Sequence, residues 1–146
     1  MKTNLKKAYA LLLTLALVFS AVACSPVGSD GDQDQDKTPG VVENGATIGQ
    51  GSKTFTMEVT DAEGATITFT VKTDEKTVGA ALLALEVIAG DPGEYGLYVK
   101  TVNGTTVDYD TDGAYWAFYV DGAYATTGVD QTDITDGSTY AFKVEK

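Results

Sequence analysis

Phe55, Met57 and Val59 alternate strictly with Thr54, Thr56 and Glu58. After one short break, Ala65, Ile67, Phe69 and Val71 alternate with Thr66, Thr68, Thr70 and Lys72. A period of two puts one set of side chains on each face of a pleated strand, so both runs read as half-buried strands. The break, Asp61-Ala62-Glu63-Gly64, has turn chemistry, and the two runs make a hairpin. The period then changes once. Val78, Ala81, Leu82, Leu85, Ile88 and Ala89 recur at helical spacing, which predicts a helix over residues 77–89. Thr77 is placed to cap its start, Gly90 to close its end and Pro92 to stop it. Gly79 weakens the first turn by about 1 kcal/mol relative to Ala, and would let a strand approach closely.

Beyond the helix the pattern returns to short strands. Tyr98 to Val102 is one, closed by Asn103-Gly104; Asp108 to Gly113 reads as a polar loop. Tyr115-Trp116-Ala117-Phe118-Tyr119-Val120 is the most aromatic run of the chain and ends at Asp121-Gly122, a favoured two-residue hairpin turn. Ala123-Tyr124 starts the return, Asp136-Gly137 marks another turn, and Tyr140, Phe142 and Val144 alternate to the end. Hairpin, helix, then antiparallel strands predicts an α+β, β-rich domain: a β-grasp-like mixed sheet with one helix packed on one face.

Composition narrows the chemistry. The chain has no His and no Arg, and its single Cys is Cys24, so the region from Lys53 onward has neither thiol nor disulfide. Ser-His-Asp and Cys-His nucleophiles are therefore excluded there, as are zinc sites built from Cys and His. A net charge of −11 repels phosphate backbones and argues against nucleic-acid binding. Asp130, Asp133 and Asp136 are close in sequence, and paired carboxylates can hydrolyse glycosidic bonds. They lie among turn residues, where Asp serves local hydrogen bonding, and the expectation is that the protein is not an enzyme.

The first half has a different character. Lys2, Lys6 and Lys7 precede an apolar run from Ala8 to Ala21, and Ala21-Val22-Ala23-Cys24-Ser25 follows. A positive start, an apolar run too short to span a bilayer comfortably and small residues before the cut form an export signal. Residues 1–23 are thus expected to be a lipoprotein signal peptide, with Cys24 the acylated residue. Loss of the three leader lysines takes the net charge from −11 to −14. Acyl burial, at about 0.8 kcal/mol per CH₂, rather than a basic patch, would then hold the protein to the membrane. Residues 24–52 read as a disordered acidic linker: Ser29 to Lys37 has no apolar residue, and Gly40, Gly45, Gly49 and Gly51 follow. The folded domain is expected over 53–146.

Several of these segments together resemble the transcobalamin-like C-terminal domain family, found in bacterial lipoproteins of unassigned function. They are Thr77 to Leu85, Tyr95 to Gly104, Tyr115 to Gly122, Gly128-Val129-Asp130 and Asp136-Gly137, in that order. The resemblance implies a β-grasp-like domain similar to the small β-domain of vertebrate cobalamin carriers, where the vitamin lies between that domain and a large helical barrel. It makes cobalamin or another corrinoid the candidate ligand. It makes Thr126-Thr127-Gly128-Val129 a loop beside that ligand. It also implies an extracytoplasmic, lipid-anchored protein, on a Gram-positive cell surface.

Two candidate sites follow. The strand Tyr115 to Val120 presents Tyr115, Ala117 and Tyr119 on one face and Trp116, Phe118 and Val120 on the other. One set must be core; the other, with Tyr98 and Tyr124, would be an aromatic platform for a flat organic ligand. The ligand-binding set is accordingly Tyr98, Tyr115, Trp116, Tyr124, Thr127, Gly128 and Val129. A weaker candidate is calcium at Asp108, Asp110 and Asp112, whose D-x-D-x-D-G spacing matches the first half of an EF-hand loop, although Tyr119 stands where the bidentate Glu would be. The alternative to ligand capture is a structural or protein-interaction domain that contacts a transporter or another cell-surface protein.

Overall fold

A computed structural model describes residues 40–146. The leader, Cys24 and the acidic run all lie outside the described residues. Among the described residues nine strands, two short helices and one 3-10 turn follow one another. Strands β2 (Lys53–Thr60) and β3 (Thr66–Thr73) form the expected hairpin, in register from Lys53↔Thr73 to Thr60↔Thr66. Strand β9 (Thr139–Glu145) runs parallel to β2, and β7 (Tyr115–Val120) runs antiparallel to β9. With β1 (Thr47–Gly49) and β8 (Ala123–Tyr124) at the edges, the sheet order is β1-β3-β2-β9-β7-β8. A second, antiparallel sheet holds β4 (Ile88–Gly93), β5 (Gly96–Val102) and β6 (Thr105–Thr106). The domain is α+β and β-rich, with one main helix, as the periodicities predict.

The alternation decides which face is buried. Phe55, Met57 and Val59 of β2, Phe69 and Val71 of β3, and Tyr140 and Phe142 of β9 point into one hydrophobic cluster. Helix α1 (Val78–Ala84) closes that cluster with Val78, Ala81 and Leu82, all at most 1% exposed. Each such side chain contributes about 1.5–3 kcal/mol by leaving water. Tyr140 Oη stays satisfied, accepting from Thr135 N–H at 2.8 Å. Thr77 caps α1 as expected, its hydroxyl accepting from Ala80 N–H.

Helix α1 stops five residues before the predicted end. Glu86 takes φ 57° in the left-handed region, Glu86 N–H donates to Leu83 O and Val87 N–H to Leu82 O. This is the helix-ending motif usually built on Gly, here built on Glu. Val87 is buried from the bend after the helix and Ile88 from the strand that follows, neither from the helix. Gly90, expected as the cap, instead lies on β4 at a register shift, opposite the extra residue Lys100 that bulges β5, and a Cβ there would stand 2.0 Å from Tyr98 O. Pro92 lies on β4 as well, an edge strand of its sheet, where the missing N–H costs no ladder bond.

The predicted linker also ends early. Residues 40–52 pack on the domain: β1 pairs in parallel with β3, and Val42 is 5% exposed. Asn103 holds Val42 from both sides, accepting from its N–H at 2.6 Å and donating to its C=O at 3.2 Å. Low propensity hid this segment. A three-residue edge strand takes its order from the donors of β3 and from Asn103, which are remote in sequence.

Candidate functional site

Strands β5 and β7, the end of β8 and the loop Ala125–Val129 surround a cavity of about 210 Å³. All seven residues of the ligand-binding set line it: Tyr98, Tyr115, Trp116, Tyr124, Thr127, Gly128 and Val129. Topology brings them together. Hairpin β7–β8 sets Tyr124 against Tyr119, and the 3-10 turn Val129–Gln131 packs on both α1 and β5. The walls are apolar and rigid, with Val129 2%, Phe142 1% and Trp116 6% exposed. The rim is wet, with Tyr98 39% and Tyr124 57% exposed.

The either-or choice between the two faces of β7 dissolves in three dimensions. Trp116 and Phe118 belong to the core cluster, and both also line the cavity. Sequence reasoning missed Leu97, Val99, Phe118, Ala125 and Phe142. Two of these had a usable signal: Phe142 lies directly opposite Phe118 in the β7–β9 register, on the face that Trp116 shares.

The opposite face of β7 is an aromatic patch held by charge. The Tyr119 hydroxyl donates to Glu145 Oε1, and Lys143 Nζ lies 4.7 Å from the Tyr119 ring centre. The Tyr124 ring meets Tyr119 edge-on at 5.4 Å. The hydrogen bond to Glu145, then burial and the carboxylate's charge, push the Tyr119 phenol up to about 12. The Tyr115 phenol is also raised, first by Tyr124, then by burial and Glu145. A raised phenol favours the proton-bearing folded state. Its contribution is therefore complete below the ordinary phenol value near 10 and is lost as pH climbs through about 12. Phenolate absorbance should show a step displaced upward to about 12 in the wild type, from Tyr119. Glu145→Gln should bring that step down toward the ordinary value, and an unchanged titration would remove Glu145 as the cause.

The calcium candidate does not form. Asp108 to Gly113 is not an open loop but a single helical turn, α2 (Tyr109–Asp112), ended by Gly113 at φ 62°. Asp108 Oδ1 accepts from Asp110 N–H at 2.9 Å, and Asp112 Oδ2 accepts from Asp108 N–H at 2.9 Å. Lys100 Nζ sits 3.2 Å from Asp108 Oδ2 and 3.0 Å from Asp91 Oδ2. The Asp110 N–H, then Lys100, hold the Asp108 carboxyl below its usual range. These oxygens cap a turn and pair with a lysine, so Asp108, Asp110 and Asp112 do not converge on a common point. Among the described residues no group of three or more acidic, His or Cys side chains could hold a metal ion. Asp133 and Asp136 are likewise engaged, with Lys76 at 3.8 Å and with Thr54 N–H at 2.6 Å.

The fold and the cavity define a small α+β domain with a preformed, aromatic-walled recess. Residues 75–146 match a family profile described as Domain of unknown function (DUF4430). Among solved structures, one similar chain is a candidate metal-binding protein from Ruminococcus gnavus ATCC 29149. It shares 29% identity at a TM-score of 0.61, over 65% of this chain and 98% of that one. Haptocorrin in complex with Cbi is similar at a TM-score of 0.51 and 15% identity, over 64% of this chain and 25% of haptocorrin. At that identity the likeness is one of fold. No curated protein matches the chain.

Proposed function

We propose that this chain is a lipid-anchored, extracytoplasmic protein whose domain captures a small organic ligand without transforming it. The supporting observation is the convergence of seven aromatic and loop residues on one cavity that is open to solvent. Rigid apolar walls with a wet rim suit binding by preformed contact. Leader, acylated Cys24 and surface location are parts of the same reading and rest on the sequence.

A corrinoid is the candidate ligand, supported by the fold shared with haptocorrin. The cavity, at about 210 Å³, is smaller than the roughly 300–1,000 Å³ of sites that engulf drug-sized ligands. It therefore takes the edge of such a molecule, and a partner protein or transporter covers the rest. The exposed rings of Tyr95, at 85%, and Tyr124, at 57%, favour such a partner.

Trp116 is the sole tryptophan, so its fluorescence reports on this wall alone. Titration with cobalamin, corrected against free tryptophan for absorbed light, should give saturable quenching with matching heat in a calorimeter. A flat response in both up to millimolar ligand removes the corrinoid. Acyl labelling of Cys24 tests the anchor separately.

A further inference from the structure

Only two buried side-chain polar atoms among the described residues lack a partner: Trp116 Nε1 and Asp130 Oδ1. Both belong to this end of the domain. Trp116 walls the cavity described above, and Asp130 lines an adjoining groove of about 350 Å³. The groove is otherwise formed by Leu83, Pro92, Gly93, Gly96 and Leu97, and shares Leu97 with the cavity. Asp130 is its one ionisable residue.

Among the described residues, Asp130 differs from most of the other aspartates. Asp61, Asp74, Asp108, Asp121 and Asp136 each accept a backbone N–H. Asp91 and Asp133 pair with lysines. Asp130 does neither among the described residues, and the turn it occupies has no side-chain cap. Room for its carboxylate is made by glycine. A Cβ at Gly96 would come 2.6 Å from Oδ1, and one at Gly128 would come 2.8 Å from it. One oxygen is thus closed off against the two glycines, while the half-buried residue turns the rest of its carboxylate to an apolar groove. No protein donor among the described residues meets that carboxylate, and a bound donor would supply one.

We propose that Asp130 is the polar anchor of the site and selects a small organic cation, an ammonium group carried on an apolar body. The ammonium meets the Asp130 carboxylate in the groove, and the apolar body lies over Leu97 toward Trp116. The chain's net charge of −11 favours a cation over an anion here. This inference rests on the ligand-capture reading and names an ammonium compound, in place of a corrinoid, as what the domain captures.

The test uses the ¹⁵N-labelled full chain and two probes of similar shape, 2-phenylethylammonium and neutral 2-phenylethanol. The ammonium should shift the Gly96 and Gly128 amide signals and the Trp116 indole signal, and should bind at least tenfold more tightly than the alcohol. Asp130→Asn, nearly isosteric, should weaken the ammonium at least tenfold and leave the alcohol unaffected. Equal affinity for the two probes, or an ammonium affinity indifferent to Asp130→Asn, overturns the proposal. If both probes then still move the Trp116 signal, the apolar cavity survives alone. If the ammonium shifts only Gly96 and Gly128 and depends on Asp130, the anchor stands and the Trp116 cavity reading falls. Silence from both probes overturns both.

Discussion

A single added methyl at Gly79 should destabilise the domain by about 2–3 kcal/mol, in the upper part of the range for overpacked sites. Helix propensity predicts the opposite, a gain of about 1 kcal/mol for Gly79→Ala in the first turn of α1. The packing decides the sign. A Cβ there would lie 2.6 Å from Asp130 Cα, 2.8 Å from Asp130 N and 3.0 Å from Val129 C. All three are backbone atoms, so no rotamer change relieves the clash. Helix α1 and the 3-10 turn must separate, and the turn carries Val129 and Asp130. Urea midpoints of wild type and Gly79→Ala should therefore differ in the destabilising direction, with a melting point lower by roughly 10–20 °C. A variant more stable than the wild type would mean that the 3-10 turn does not rest on the helix.

Phe142→Ala should cost about 3–5 kcal/mol, the largest effect expected of any truncation at the cavity. Phe142 is 1% exposed, lies opposite Phe118 in the β7–β9 register with ring centres 5.1 Å apart, and also pairs with Val59 on β2. Removing it deletes contacts in the core and in the recess at once. The space left would merge with the existing recess of about 210 Å³ and expose the core face of β9 to it. The loss should therefore fall near the top of that range, measured by urea unfolding. Phe142→Leu should cost distinctly less, and Tyr124→Ala on the exposed rim only about 0.5–1.5 kcal/mol, the worth of its edge-on contact with Tyr119. A cost for Phe142→Ala similar to that for Tyr124→Ala would place Phe142 outside the core and refute the cavity's rigid wall.

The legible parts of this chain are those whose physics is local. Alternation places β2, β3 and β9, and the aromatic run places β7; all four strands fall where the sequence puts them. Asn103-Gly104 and Asp121-Gly122 turn as read, with φ values of 48° and 80°, and 48° and 84°. The illegible parts depend on residues far away in sequence. Glu86 ends the helix where the chain must turn into the second sheet at Ile88, and no glycine announces it. Residues 40–52 look like more linker because β3 and Asn103 supply their order. The D-x-D-x-D-G run looks like half a calcium loop until Lys100 and the turn's own N–H groups engage its oxygens.

The site divides in the same way. Sequence supplied the seven residues, through aromatic content, turn chemistry and a family resemblance. It could not supply Leu97 or Val99, which become neighbours of the aromatic run only when β5 packs beside β7.

By itself, then, the sequence determined the fold class, the position of most strands and the absence of thiol or imidazole chemistry from the region after Lys53. Periodicity and composition are properties of the chain before it folds. Tertiary structure alone decided where the helix stops, that residues from Gly40 join the domain, and that a donor-starved Asp130 lies beside an aromatic recess. Each of these depends on close approach between segments far apart in the chain, and a one-dimensional pattern carries no record of such distances.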